Sequence, residues 1–310
     1  MMTILAAGLA VLAATSPARS ATPRTPAMPA ALDSARIESL TGVRGAWDRT
    51  EGVFKVTAPR TDLDVRVGGV RIRPPMGLAS WAAFEPATGH TIVMGDLVLL
   101  EDQVAPVMDA ALAQGLDVTA LHNHFLRETP RVMFMHIGGM GEEEALAGAI
   151  GAVFARIRET AAAPAEAAGP AAADSGGAPL DADALAGILG AKGSLAGGIY
   201  KVVIGREARM HGARVGATMG VNTWAAFAGS SERATVDGDF AVLESELQPV
   251  LKALRHAGIE IVAIHQHMTG ETPRMIFLHY WGAGPAADLA RGLRAALDQT
   301  STMQSGGHTR

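Results

Sequence analysis

The sequence contains no cysteine. That excludes disulfides, thiolate metal ligands, a cysteine nucleophile and a lipid-modified cysteine at an export-cleavage site. Any metal must be held by histidine and carboxylate. Aromatic residues make up only 5% of the chain and no run of lysine or arginine is present, so nothing marks a nucleic-acid footprint. No P-loop, dinucleotide fingerprint or Gly-x-Ser-x-Gly elbow occurs. Long apolar runs are missing as well. Residues 3–17 are apolar but too short to span a bilayer. Small residues follow them, and Ala18-Arg19-Ser20 before Ala21 suits a cleavage site. Residues 1–20 therefore read as a secretory signal peptide, although no basic residue precedes the apolar run. The expectation is a periplasmic or secreted protein with no integral membrane segment once the signal is removed.

What the chain does contain is a repeat. Leu121 to His136 reads LHNHFLRETPRVMFMH, and Ile264 to His279 reads IHQHMTGETPRMIFLH. Both follow His-x-His-x-x-x-Glu-Thr-Pro-Arg-x-x-Phe-x-His without a gap. A spacing of 143 residues separates every matched pair, from His122 and His265 to His136 and His279. Six of the ten histidines lie in these two motifs. Most of the other matches keep the same spacing: Met76-Gly77 with Met219-Gly220, Trp81 to Phe84 with Trp224 to Phe227, and Gly95-Asp96 with Gly238-Asp239. Phe54-Lys55-Val56 matches Tyr200-Lys201-Val202 three residues out of step.

The chain therefore reads as a tandem duplication. The first repeat domain is placed at 32–160 and the second at 181–300. Residues 161–180 are rich in Ala, Pro and Gly and form a linker that cannot bury a core. Within the first repeat, the patterns predict a helix near 33–41 and strands at 53–57, 64–72, 80–84 and 91–100. A helix at 101–114 follows, then strands at 118–124 and 131–137, and a closing helix at 142–158. Gly138-Gly139 is expected to stop the last strand, leaving Gly138 to Gly141 as a flexible turn. The fold class is α+β: two similar domains, each an antiparallel-rich sheet with helices packed on one side, related by a pseudo-twofold axis.

On a strand, the alternation of faces points His122 and His124 the same way, so that both rings can converge on one ion. Glu128 could fold back over that face. His136 on the next strand is a weaker fourth ligand, because a tight hairpin sets it opposite residues near Val118, several positions from His124. The same reading applies to His265, His267, Glu271 and His279. The set suits a divalent transition metal, zinc first, with Mn, Ni, Fe or Cu not excluded. Glu128 and Glu271 are also candidate general bases for a metal-dependent hydrolase. Arg131, Arg274 and Arg60 could hold a small anionic ligand, and Arg206 sits at the turn equivalent to Arg60. Asp96 and Asp239 could orient an imidazole or serve only as turn residues. Trp81, Trp224, Phe84 and Phe227 read as core. Against all this stands a purely structural reading, in which each Glu caps its turn and pairs with the nearby Arg. The protein would then be a binding module for a cell-envelope component. His-x-His-x-x-x-Glu also matches the first half of the cupin metal motif, but no second half follows, and the helix before the His strand argues against an all-β barrel.

Pro59 to Leu63, Met94-Gly95-Asp96, Ala120 to His124, Glu128 to Arg131 and Phe277 to Gly282 give the chain a further resemblance. It resembles the LppY/LpqO family, named for mycobacterial lipoproteins and built on a domain of unknown function. The resemblance covers nearly all of the chain after residue 20. It implies an exported bacterial protein, and the missing cysteine implies one without a lipid anchor.

Overall fold

A computed structural model describes residues 31–161 and 177–301. The expected signal peptide and most of the expected linker lie outside the described residues. The first half opens with α1 (Ser34–Thr41), started by Asp33, whose carboxylate accepts the Arg36 amide, and ended by Gly42 at φ 68°. The strands β1 (Gly45–Asp48), β2 (Val53–Pro59), β3 (Arg66–Val67), β4 (Val70–Arg71), β5 (Ala79–Ala87) and β6 (His90–Leu100) follow. Then come α2 (Val104–Ala113), β7 (Asp117–Asn123), β8 (Glu128–Thr129), β9 (Val132–Gly141) and α3 (Glu143–Glu159).

The second half repeats this order. It runs α4 (Ala182–Leu189), β10 (Gly193–Ala196), β11 (Ile199–Gly205), β12 (Ala208–Met210), β13 (Ala213–Val215), β14 (Asn222–Gly229) and β15 (Ala234–Leu243), then α5 (Glu244–His256), β16 (Glu260–His265), β17 (Met275–Gly284) and α6 (Ala286–Leu297). Each half builds one six-stranded antiparallel sheet, in the orders β1-β2-β5-β6-β9-β7 and β10-β11-β14-β15-β17-β16. The two tandem α+β domains are as expected. Among the described residues, no helix is long and apolar enough to cross a membrane.

Two local expectations are corrected. The run 64–72 is not one strand but the hairpin β3–β4, because Gly68 and Gly69 both take positive φ and turn the chain. Nor does Gly138-Gly139 end a strand: β9 continues to Gly141, paired along β6. A side chain at Gly139 would come within 3.1 Å of Leu116 and Leu146, so the glycine is what allows the sheet to pass beneath α3.

Strand alternation sorts the side chains into layers. On β6, Val93, Leu97 and Leu99 join the core beneath the helices, together with Phe84, Met135 and Ile150. The second half packs Val236, Phe240, Leu278 and Tyr280 under its own helices. The opposite, helix-free faces of the two sheets meet each other. Ile92 and Met94 share one apolar cluster with Met219, Val221 and Phe277, and Val98 and Phe134 share another with Ala226 and Trp281. The layer order is helices, sheet, sheet, helices.

Polar ties cross the same seam. The Glu51 carboxylate accepts the amides of Ala217 and Thr218 at 3.0 and 2.9 Å. Thr119 donates its hydroxyl to the His267 carbonyl at 2.7 Å, and the Gln266 side-chain amide donates to the Thr119 carbonyl at 3.0 Å. Each half on its own would expose a broad apolar face, which soluble monomers avoid. The two halves, produced as separate chains, are therefore expected to copurify as a one-to-one complex, and either alone to self-associate. Size-exclusion chromatography with light scattering checks this, and a stable monomeric half would contradict it.

Candidate metal centre

The six motif histidines meet in the seam. His122 and His265, the equivalent residues of the two motifs, stack with ring centroids 3.8 Å apart, so the pseudo-twofold axis runs between them. His124 lies against His279 at 3.7 Å, and His136 against His267 at 4.0 Å, two symmetry-related pairs that each cross between domains. The two copies do not make two sites. They make one, to which each half contributes three rings.

A bulge in each edge strand explains why His136 and His279 take part. The pairing of β7 with β9 runs Val118 to Ile137 and then Ala120 to His136, skipping Thr119. The pairing of β16 with β17 skips Val262 in the same way. This register corrects the expectation that His136, opposite residues near Val118, reaches the site poorly. Its ring is 5.1 Å from that of His122, and its donor atom groups with those of His122 and His265. The Met-Gly turns complete the surround. Gly77 and Gly220 take φ of 100° and 90°, and a Cβ on them would meet His124 at 3.0 Å and Trp81 at 2.8 Å.

Carboxylates line the same seam. Asp239 Oδ2 lies 3.1 Å from His267 Nε2, and Asp237 Oδ1 lies 3.5 Å from His124 Nδ1. Asp96 is 4.0 Å from His136 Nε2. Two groups bring their donor atoms within 4.8 Å of one another: His122, His136 and His265, and Asp239, His265 and His267. Donors around a tetrahedral zinc sit roughly 3.3 Å apart, so a modest contraction would close either group on an ion.

The hydrogen bonds fit that role. The Nδ1 atoms of His122, His267 and His279 lie 3.0, 3.0 and 3.2 Å from the carbonyls of Asn123, Gly220 and Gly238. Donation there fixes the tautomer and leaves Nε2 with a free lone pair. Those three Nε2 atoms are buried without a hydrogen-bond partner, as are His136 Nε2 and both ring nitrogens of His265. Buried polar atoms are nearly always paired, so this concentration points to an ion.

Burial also sets the protonation states. Loss of water pushes His122 down to about 4 and His267 and His279 down to about 3. It holds His124, His136 and His265 well below the usual imidazole value, with neighbouring rings adding to the effect. All six are therefore neutral near pH 7, the form that binds metal. Burial raises Asp96 to about 8, with the Asp239 charge contributing, and raises Asp239 to about 6. Asp237 is held well above the usual carboxylate range, again by burial first.

The other candidate residues lie elsewhere. Glu128 and Glu271 belong to neither donor group and do not line the cleft described below. The Glu271 carboxylate accepts the Met275 amide at 3.0 Å and sits 3.7 Å from Arg274, which is the turn-capping arrangement. Glu128 is buried 4.0 Å from Arg131. Arg131 and Arg274 are half exposed, outside the cleft. Arg60 is buried, its guanidinium donating to Asp62, Gln103 and the Val98 carbonyl. Arg206 likewise holds Glu246 and the Ala241 carbonyl. Both are structural ties and not the anion holders expected of them. Phe84 and Phe227 are core as expected, but Trp81 and Trp224 line a cleft of about 630 Å³ that opens over the histidines. Lys55 and Lys201 lie in the same cleft, as does Asp239. Asp237 had no repeat signal, because Met94 is its counterpart.

The shifts give the metal-free protein a pH dependence of definite sign. Unfolded histidines take up protons near pH 6.5, which the folded rings refuse down to about pH 3 to 4, so stability falls as the pH drops through that window. The folded chain keeps a proton on Asp96 up to about pH 8 that the unfolded chain releases near pH 4, so stability falls as the pH rises through that range. Below pH 6.5 six histidines outweigh three aspartates, and above it the carboxyls dominate until Lys55, which burial lowers to about 8, begins to oppose them. Thermal unfolding of chelated protein is therefore expected to peak near pH 6.5 and to fall toward both pH 5 and pH 8. A Tm that keeps rising to pH 8 would mean that the folded carboxyls ionise freely.

No curated protein matches the chain. Two solved structures align over most of it with low TM-scores. The trimeric bacterial microcompartment shell protein PduB is 11% identical, over 82% of this chain and 89% of that one, with a TM-score of 0.21. EtuB from Clostridium kluyveri is 10% identical, over 82% and 90%, with a TM-score of 0.20. The family described as "Domain of Unknown Function (DUF1259)" matches residues 35–156 and again 183–299. These segments coincide with the two halves that each supply three histidines to the centre, and the chain belongs to this family.

Proposed function

We propose that the protein binds a divalent transition metal, zinc first, in a single centre shared by its two domains. The observation that carries this is the set of buried ring nitrogens without hydrogen-bond partners, concentrated where six neutral imidazoles and three carboxylates converge. Imidazole-rich sets suit zinc, copper, nickel and iron, and the carboxylates favour the harder members of that series. The ligands are His122, His136 and His265, with His267 and Asp239 as the alternative or second set sharing His265. His124, His279, Asp96 and Asp237 surround them and orient or neutralise the site.

The protein is exported and works in the periplasm or outside the cell. The apolar residues 3–17 and the small residues after them support this reading, and so does the resemblance to the LppY/LpqO lipoproteins.

Elemental analysis of untagged protein is expected to find about one or two equivalents of one metal per chain. A thousandfold excess of zinc over its Kd stabilises by about 4 kcal/mol, which raises Tm by on the order of 10 °C. Because both donor groups use His265, His265→Ala removes most of the metal. Glu128→Ala leaves the metal content unchanged, since that carboxylate is outside both groups. Undiminished metal in H265A would sink the reading.

A further inference from the structure

The cleft over the metal centre carries two partly buried cations. Lys55 on β2 and Lys201 on β11 are equivalent residues of the two repeats, and each enters from its own sheet. Lys55 Nζ lies 3.7 Å over the ring of Trp81, and Lys201 Nζ lies 4.2 Å over Trp224. Each also donates across the seam, Lys55 to the Thr218 carbonyl and Lys201 to the Pro75 carbonyl, both at 3.2 Å. Neither makes an ion pair among the described residues, although both are partly buried. A partly buried ammonium ordinarily has an anion beside it. One carbonyl contact leaves each of these ammoniums with two further N–H donors.

The rest of the cleft argues for a small organic molecule. Its volume of about 630 Å³ falls in the range of small-molecule sites. Pro59, Pro74, Ala79, Val203 and Ala217 supply apolar walls, and four of the histidines, His124, His136, His267 and His279, form the floor. The strong dehydration of this space lowers Lys55 to about 8, with Lys201 adding to the effect. Each of the two ammoniums therefore gains from an incoming negative charge. Asp96 attracts Lys55 and Asp237 attracts Lys201, but neither acid comes within ion-pair distance of its ammonium.

We infer that this cleft binds a small organic carboxylate, held between Lys55 and Lys201 over the metal centre. The carboxylate accepts from both ammoniums, and its apolar body lies between the proline walls and the indole edges. This deepens the metal reading by adding a ligand class, and it rests on that reading only for the floor of the cleft. The lysines are present with or without the ion.

Isothermal titration of the full chain with succinate, benzoate and inorganic phosphate tests the inference, in metal-loaded and in chelated protein. The expected result is carboxylate binding that shifts tryptophan fluorescence. It weakens about a hundredfold or more in Lys55→Met with Lys201→Met, since two charged hydrogen bonds are lost together. The pair Lys55→Arg with Lys201→Arg keeps the charge and restores most of the binding, which separates a ligand role from a merely structural one. Metal content stays unchanged in both pairs. If the metal reading fails, the chelated and as-purified proteins bind carboxylate alike and the lysine effect remains. If metal is present but neither succinate nor benzoate binds, or binding is indifferent to K55M/K201M, the inference is overturned. Tighter binding of phosphate than of either carboxylate overturns the assignment to carboxylates.

Discussion

Taking polar groups out of water obliges a protein to give them partners, and here that obligation falls on one small volume. Six imidazoles and three carboxyls are enclosed between two apolar sheet faces. Their protonation states, tautomers and orientations follow from that enclosure. Dehydration keeps the rings neutral and Asp96 and Asp237 protonated, and the backbone carbonyls of Asn123, Gly220 and Gly238 engage one nitrogen of three rings. What remains is an array of inward-facing lone pairs that the polypeptide itself leaves unused. On the proposed metal reading, a cation would take up three of them in either donor group, and its charge would favour release of protons from the neighbouring acids.

The sheet-on-sheet seam makes that enclosure possible. Strand alternation sends one set of side chains under the helices and the other into the seam. The Thr119 and Val262 bulges shift the edge strands by one residue, and this brings His136 and His279 into line with the rings of the neighbouring strand. Gly77 and Gly220 let the turns run close beneath His124 and Trp81. Cross-seam bonds from Glu51, Thr119, Gln266 and both lysines hold the two halves in register.

Much of this was legible in the residues. The duplication, the sheets with helices on one side, and the involvement of all six histidines follow from a 143-residue repeat and from period-two patterns. The sequence could not show that the repeats share one centre. Nothing local in His122 says that its nearest ring belongs to His265. His136 was undervalued because a bulge leaves no signature in a run such as Val118-Thr119-Ala120. Arg60 looked like an anion holder because a buried guanidinium and an exposed one read alike. The lysines were visible only as the middle of Phe54-Lys55-Val56 and Tyr200-Lys201-Val202. Their apolar neighbours point under the helices, so the lysine has to face the seam. That signal becomes readable once the seam, and not solvent, is known to lie on the other side.

The twofold relation is broken at a buried position beside the histidines. Asp237 stands near His124, while the equivalent place on the other side holds the apolar Met94. Pro75 and Thr218, which receive the two lysines, differ as well. A perfectly symmetric cleft would accept an unsymmetrical guest equally in two opposite directions. This one is lined by Pro75 and Ala79 on one side and by Thr218 and Asn222 at the equivalent places on the other, and so it can tell head from tail. The duplication that created the chamber thus also gave it a means of acquiring direction, through substitutions in one copy that the other did not share.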